Sequence, residues 1–286
     1  MIPSFLIFLR EGIEGTMILS IMCSFLVSLG RRDMFRWVFF GAGPAAIASS
    51  IFGIALYMIA KDSFIGSTAQ TWFETVVFII AVITLTYMTF WMRRHARSLG
   101  KDLGNRMKTA VAGGSALSLA TLAFVTVGRE AVETAIFLLA IAFKTPGLSL
   151  LTGAVLGLVC AIAASFAIYR LGARIRLRRF FTILGAALMI VAAGLLADAV
   201  QNLQELGVVP GGGDVVWNTR RFLDDGSGLG DVLHGLFGYA SSPSLLQLLV
   251  WATFLTVGLA AFLGLAGSAL DRLRARRGKP TGLSRA

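Results

Sequence analysis

Seven unbroken apolar runs divide this chain: Pro3–Leu29, Phe35–Ala60, Trp72–Met92, Ser115–Phe143, Leu148–Leu171, Phe180–Val200 and Leu245–Ala269. Each is close to or above the roughly 20 residues that carry a helix across about 30 Å of hydrocarbon. Inside a bilayer every backbone N–H and C=O must be satisfied within the protein, which leaves helices or closed barrels. Barrel strands alternate apolar and polar residues over about 10 positions, whereas these runs are continuous, so helices are expected. With 56% hydrophobic and 14% charged residues and a mean hydropathy of +0.79, the chain could not clothe itself in an ordinary solvated surface. The first run holds three charges and has no basic segment before it, which reads as a retained helix rather than a signal peptide. The expected fold is an all-α integral membrane protein of seven transmembrane helices.

A net charge of +11 would suit nucleic acid on a soluble protein, but here the basic residues crowd into alternate connections. Arg31, Arg32 and Arg36 follow the first run; Arg93, Arg94, Arg97, Lys101, Arg106 and Lys108 follow the third. Arg170, Arg174, Arg176, Arg178 and Arg179 follow the fifth, and Arg272, Arg274, Arg276, Arg277 and Lys279 follow the seventh. Basic flanks mark the cytoplasmic side, so the N-terminus is expected outside and the C-terminus inside, with the basic loops against anionic lipid. The other connections hold Lys61 and Asp62, then Lys144, then an acid-rich stretch with Asp214, Asp224, Asp225 and Asp231. The expected division is a three-helix repeat over 1–92, a basic cytoplasmic loop at 93–114 and a second repeat over 115–200. An extracytoplasmic acidic loop at 201–243, a seventh helix at 244–270 and a basic tail at 271–286 complete it. That loop carries Gly211-Gly212-Gly213 and a short amphipathic pattern over Leu229–Tyr239.

The second constraint is chemical. Arg10-Glu11-Gly12-Ile13-Glu14 in the first run is matched by Arg129-Glu130-Ala131-Val132-Glu133 in the fourth. Such groups cost about 2.5–3.5 kcal/mol apiece at mid-bilayer on the translocon scale, so they persist only when paired, hydrated or used. Each copy opens a group of three runs. An odd number per group reverses the second copy in the membrane, the signature of inverted repeats with a site at mid-membrane. On a helix the three charged residues of one copy share an arc, and Arg10–Glu14 and Arg129–Glu133 are spaced to pair. That leaves Glu11 and Glu130 without a partner. Gly12, Gly15, Ala131 and Ala135 are expected to let the two motif helices approach closely.

Carboxylate oxygens suit hard cations, and the chain offers few softer ligands. Cys23 and Cys160 lie in separate runs with no spacing for a disulfide or a zinc cage. His95 falls in a basic loop and reads as solvated, while His234 in the outer segment is a candidate for touching a cation. Asp198, Gln201, Asn202 and Glu205 fall on one stripe if the sixth helix continues. With Glu74, at the same outer end, they would line a vestibule that concentrates cations; an ordinary wet helix end is the alternative. Asp198, Glu205 and Glu74 are therefore secondary candidates. Phosphate loops, nucleophile elbows and paired-histidine signatures are absent, which argues against an enzyme and against a permanently bound cofactor.

The duplicated Arg-Glu-x-x-Glu motif in the first and fourth of seven runs resembles the oxidase-dependent iron permeases, especially the bacterial EfeU type. The likeness extends through Phe5-Leu6-Ile7-Phe8-Leu9 before the first motif, Phe73-Glu74 through Phe90-Trp91-Met92-Arg93, Val191-Ala192-Ala193-Gly194-Leu195 and Gly235-Leu236-Phe237-Gly238-Tyr239. Ile13 and Ala131-Val132 replace the commoner leucine-containing core, which changes no ligand. The resemblance implies that Glu11, Glu14, Glu130 and Glu133 bind and pass iron, with Arg10 and Arg129 in support, and it strengthens Glu74. It also implies a bacterial inner-membrane permease supplied by a periplasmic iron-binding protein and a haem peroxidase or other oxidase. Two other readings of the same residues stay open. One is a proton relay driving another divalent cation or small substrate; the other is a scaffold whose ion pairs only fasten helices.

Overall fold

The computed structural model describes residues 1–63, 67–95, 99–112, 115–171, 177–210, 215–223 and 228–264. The described residues form nine α-helices: α1 (Ile2–Ser28), α2 (Phe35–Ser63), α3 (Thr68–His95), α4 (Leu99–Ala112), α5 (Ala116–Ala142), α6 (Gly147–Leu171), α7 (Leu177–Glu205), α8 (Gly228–Phe237) and α9 (Leu245–Leu263). Among them no strand occurs, only an isolated bridge between Val215 and Ser244. Six of the apolar runs match one long helix each; the seventh, expected as a helix over 244–270, is helical over Leu245–Leu263, where Gly264 at φ +75° closes it, and its residues from 265 lie outside the described ones. Five of these helices, α2, α3, α6, α7 and α9, are long and apolar enough to cross a membrane by length and composition. The remaining two long helices, α1 and α5, are 27 residues each and carry the motifs. Helix ends follow local chemistry. Gly30 takes φ +70° so that its N–H and that of Arg31 reach back to Val27 and Leu26, closing α1. Ser244 caps α9 by accepting the Gln247 N–H.

Packing follows a paired scheme. The most extensive contacts join α1 to α6, α2 to α5 and α3 to α7, while α9 packs on α7. Exchanging the first three helices with α5, α6 and α7 leaves those pairings unchanged. The close contacts are made by small residues at every fourth position. On α6, Gly153 lies against Met1 and Ser4, Gly157 against Phe5 and Phe8, and Ala161 against Gly12. On the α2–α5 seam, Gly41 meets Ala120, Ala45 faces Gly128, and Gly53 faces Ala135. Gly12 and Ala135 therefore serve these seams and not the α1–α5 contact expected of them. Gly12 abuts α6, Ala135 abuts α2, and Gly15 has nothing within 4 Å of where a Cβ would sit.

A Cβ at Gly157 would meet the Phe5 carbonyl oxygen and the Leu9 nitrogen, which are backbone atoms and cannot swing aside. Gly157→Ala should therefore lower thermal stability in detergent by about 1–3 kcal/mol, the cost of overpacking. Gly104→Ala, in open space on α4, should be neutral or slightly stabilising.

Residues 93–114 are not simply a loop. They contain the end of α3 and the amphipathic helix α4, whose Leu103 and Met107 are buried with Met22, Leu26, Met34, Val38, Leu119 and Ala123. The sequence carried that signal as Leu99, Leu103, Met107 and Val111, one apolar residue per turn, but the density of basic residues masked it. In the outer segment, 215–223 folds back on 239–243: the Thr219 N–H bonds Ser241 O at 2.8 Å, and the Thr219 and Tyr239 hydroxyls are hydrogen-bonded. The amphipathic pattern there forms α8, as expected. Lys61, Asp62, His95, Arg97, Lys101, Arg170, Arg174, Arg176, Arg178, Arg179, Gly211–Gly213, Asp214, Asp224, Asp225, Asp231 and the tail from residue 265 lie outside the described residues or side chains.

Candidate metal centre

The two motifs meet where α1 and α5 cross. Arg10 Nε donates to Glu14 Oε1 at 3.0 Å, and Arg129 Nε donates to Glu133 Oε1 at 2.9 Å, so both expected pairs form. Arg10 does more than its spacing implied, because its Nη1 also lies 3.3 Å from Glu11 Oε1. Arg10, Glu11 and Glu14 are 3%, 5% and 5% exposed, which means that no bulk water offsets their charges.

One carboxylate oxygen from each of Glu11, Glu14 and Glu130 lies within 4.8 Å of the others. A hard cation takes oxygen ligands at about 2.0–2.6 Å, so ligands on opposite sides of one ion are separated by about 4–5 Å. The three oxygens thus converge on a space of ionic size. Their bonding is incomplete: Glu11 Oε2 and Glu130 Oε2 are buried without a hydrogen-bond partner, and Glu11 Oε1 has only its 3.3 Å ion pair with Arg10. Buried acceptors of this kind are normally satisfied, and their convergence identifies a position suited to a cation. Glu133, expected as a fourth ligand, stands outside the trio and is held by Arg129, though it is near enough to act electrostatically on Arg10, Glu11 and Glu14.

The two copies are alike in sequence but differ in surroundings. The Arg129 side chain is 49% exposed against 3% for Arg10. Its guanidinium lies 5.5 Å from the centroid of the Trp91 ring, and its Nη2 is 3.2 Å from the Met88 sulfur. Both of those residues belong to α3. A cavity of about 200 Å³ opens beside the trio; Glu14, Glu130 and Arg129 line one part of it, and Asp102 and Arg106 of α4 another. Asp102 and Arg106 are the functional candidates missed from sequence, and the apolar spacing of α4 was the signal that would have placed them.

The outer candidates separate. Asp198 is 4% exposed, with its Oδ1 3.8 Å from Lys144 Nζ and 3.6 Å from His234 Nε2. Glu205 is exposed and accepts a hydrogen bond from Gln201 at 3.0 Å, so the polar stripe of α7 does not act as one surface. Glu74 accepts from Gln70 at 2.7 Å and does not line the cavity that Asp198 shares with His234. Cys23 and Cys160 are free thiols.

The model of the Iron permease FTR1 family matches residues 1–275. The chain is 33% identical over 280 residues to the ferrous iron permease EfeU of Yersinia pestis, covering 96% of this chain and 99% of that protein. It is 32% identical over 265 residues to the ferrous iron permease EfeU of Escherichia coli O6:H1, covering 92% and 95%. It is also 32% identical over 266 residues to a protein of Escherichia coli K12 named a putative inactive ferrous iron permease EfeU, again covering 92% and 95%. No solved structure matches.

Proposed function

Because the chain belongs to the Iron permease FTR1 family, we propose that it imports ferrous iron across a bacterial cytoplasmic membrane through the carboxylate trio on α1 and α5. The observation that carries this reading is the convergence of Glu11, Glu14 and Glu130 within 4.8 Å. Overall likeness alone would not carry it, since relatives named as a permease and as a putative inactive one are equally similar. The mid-helix position of the trio favours the same conclusion. At 1.5 Å per residue, Glu11 and Glu14 lie about 14–18 Å from the start of α1, and Glu130 about 18 Å from the end of α5. Antiparallel helices bring these depths together near mid-membrane.

In this reading α1 and α5 are also spans, seven in all, and the exchange-invariant helix pairing supports two inverted three-helix repeats with α9 outside them. Arg31, Arg32, Arg36 and the basic α4 cluster around the end of α1 that packs with α4, which supports a cytoplasmic location for that end. Iron reaching the trio exchanges water for carboxylate oxygens. Arg10 holds Glu11 and Glu14 in place and limits the net charge, so that the ion is held without being trapped. The cavity toward Asp102 offers the inward path. Arg106, one turn from Asp102, keeps cation affinity low at that end, as release requires. A potential negative inside favours import by about 2.3 kcal/mol per charge per 100 mV. An extracytoplasmic iron-binding protein is the proposed supplier at the outer end; an oxidase partner would instead present ferric ion, which the ferric arm of the test below detects.

The test is uptake of radioactive iron into proteoliposomes containing the purified chain, supplied as ferrous ion under reductant or as ferric citrate. Potential-dependent accumulation of ferrous ion above empty vesicles is expected. The permease reading fails if neither form accumulates in vesicles whose protein is folded and correctly inserted.

A further inference from the structure

A second cluster lies at the opposite end of α1 from α4, outside both motifs. Asp198 on α7, Lys144 between α5 and α6, and His234 on α8 line a cavity of about 20 Å³ together with Pro3 and Thr145. That is about the space one water or one ion needs. Asp198 is 4% exposed, and its Oδ1, which faces both His234 and Lys144, has no hydrogen-bond partner.

His234 decides what the cavity can hold. Its Nδ1 lies 2.7 Å from the Tyr239 carbonyl oxygen, and a carbonyl only accepts, so Nδ1 carries the proton. In the neutral ring Nε2 then presents a lone pair toward Asp198 Oδ1 at 3.6 Å. Two electron-rich atoms at that separation repel unless a positive charge lies between or beside them. A backbone carbonyl that fixes the tautomer of a histidine is also the usual support behind a metal-bound imidazole. Two ligands each about 2.1 Å from one ion are separated by about 3.0–3.5 Å at octahedral to tetrahedral angles, close to the separation present.

We infer that Asp198 Oδ1 and His234 Nε2 form an outer divalent-cation site, and that Lys144 is a tethered cation occupying its edge when no metal is bound. The ammonium is 3.8 Å from Asp198 and 5.7 Å from the centroid of the Phe78 ring, which offers it a resting place when a dication displaces it. Binding ties α8 to α7, so the site senses iron before it reaches the glutamates. It rests on the permease reading for its role but not for its existence.

Manganese(II) is the probe, added to the purified full-length chain in detergent with a nitrogen-free buffer. Pulsed electron paramagnetic resonance should show a nitrogen coupling on bound manganese that disappears in His234→Gln, and the number of ions bound per chain should fall by one. Lys144→Met should strengthen binding at this site by about tenfold or more, a gain that a merely structural lysine would not produce. In the iron assay His234→Gln should raise KM severalfold with little change in maximal rate. Retained nitrogen coupling or unchanged stoichiometry in His234→Gln, or weaker binding in Lys144→Met, overturns the site. If instead the coupling behaves as expected while Glu130→Gln still transports iron, the outer site stands and the glutamate reading falls.

Discussion

Glu130→Gln should reduce iron uptake by about 100-fold or more, whereas Glu133→Gln should leave a readily measured fraction. Outer-shell partners of metal ligands already cost 10–100-fold when removed, and a direct ligand should cost at least the upper end of that range. The amide keeps the shape of the side chain but removes one of the three converging negative charges. Little packing is at risk, because Glu130 Oε2 has no hydrogen-bond partner to lose. Glu133 shares a buried, unpartnered Oε2 but differs in two respects: its Oε1 is engaged by Arg129 at 2.9 Å, and it lies outside the trio. Initial rates in proteoliposomes, with insertion and folding matched, separate the two variants. Equal loss in both would mean that all four glutamates serve the ion alike. Unchanged uptake in Glu130→Gln would move the site away from the α1–α5 crossing.

That distinction between Glu130 and Glu133 could not be read from the sequence, although most of the scaffold could. Apolar runs located the seven long helices because continuous hydrophobicity is a local property. The i, i+4 pairs were legible for the same reason, since both members ride on one helix. The rest depended on how helices face one another. Spacing sets Glu11 and Glu130 apart as the glutamates without an arginine partner, and the resemblance treats all four alike, but only the crossing of α1 and α5 selects which oxygens converge. Gly12 and Ala135 were rightly read as close-contact residues and assigned to the wrong neighbours, because a small residue reveals that a helix comes near without saying which one. Asp198 and His234 lie 36 positions apart in segments of different character, so nothing local joined them. Asp102 was hidden by composition: a stretch dense in Arg and Lys looked like loop, while its apolar residues at every fourth position encoded α4.

Removing Arg10 should damage folding more than any other single change at the site. Arg10→Met deletes a cation that lies within 3.3 Å of both Glu11 and Glu14, in a place where the side chains are 3–5% exposed. Breaking a buried ion pair by removing one partner typically costs about 3–5 kcal/mol, because the remaining charge is left uncompensated. Here two carboxylates are stranded by one substitution. Arg129→Met should cost far less, within about 1 kcal/mol, because that guanidinium is 49% exposed and lines the adjoining cavity, so its pair with Glu133 is the more screened of the two. Thermal unfolding in detergent should therefore rank Arg10→Met well below Arg129→Met despite their equivalent places in the two repeats. Adding Glu11→Gln and Glu14→Gln to Arg10→Met should recover most of the lost stability, since neutral groups of similar shape need no counter-charge. The recovered triple variant should fold and still fail to move iron. A triple variant that transports would show that these charges only fasten α1 in place, and failure to recover stability would mean that Arg10 acts through packing rather than through its charge.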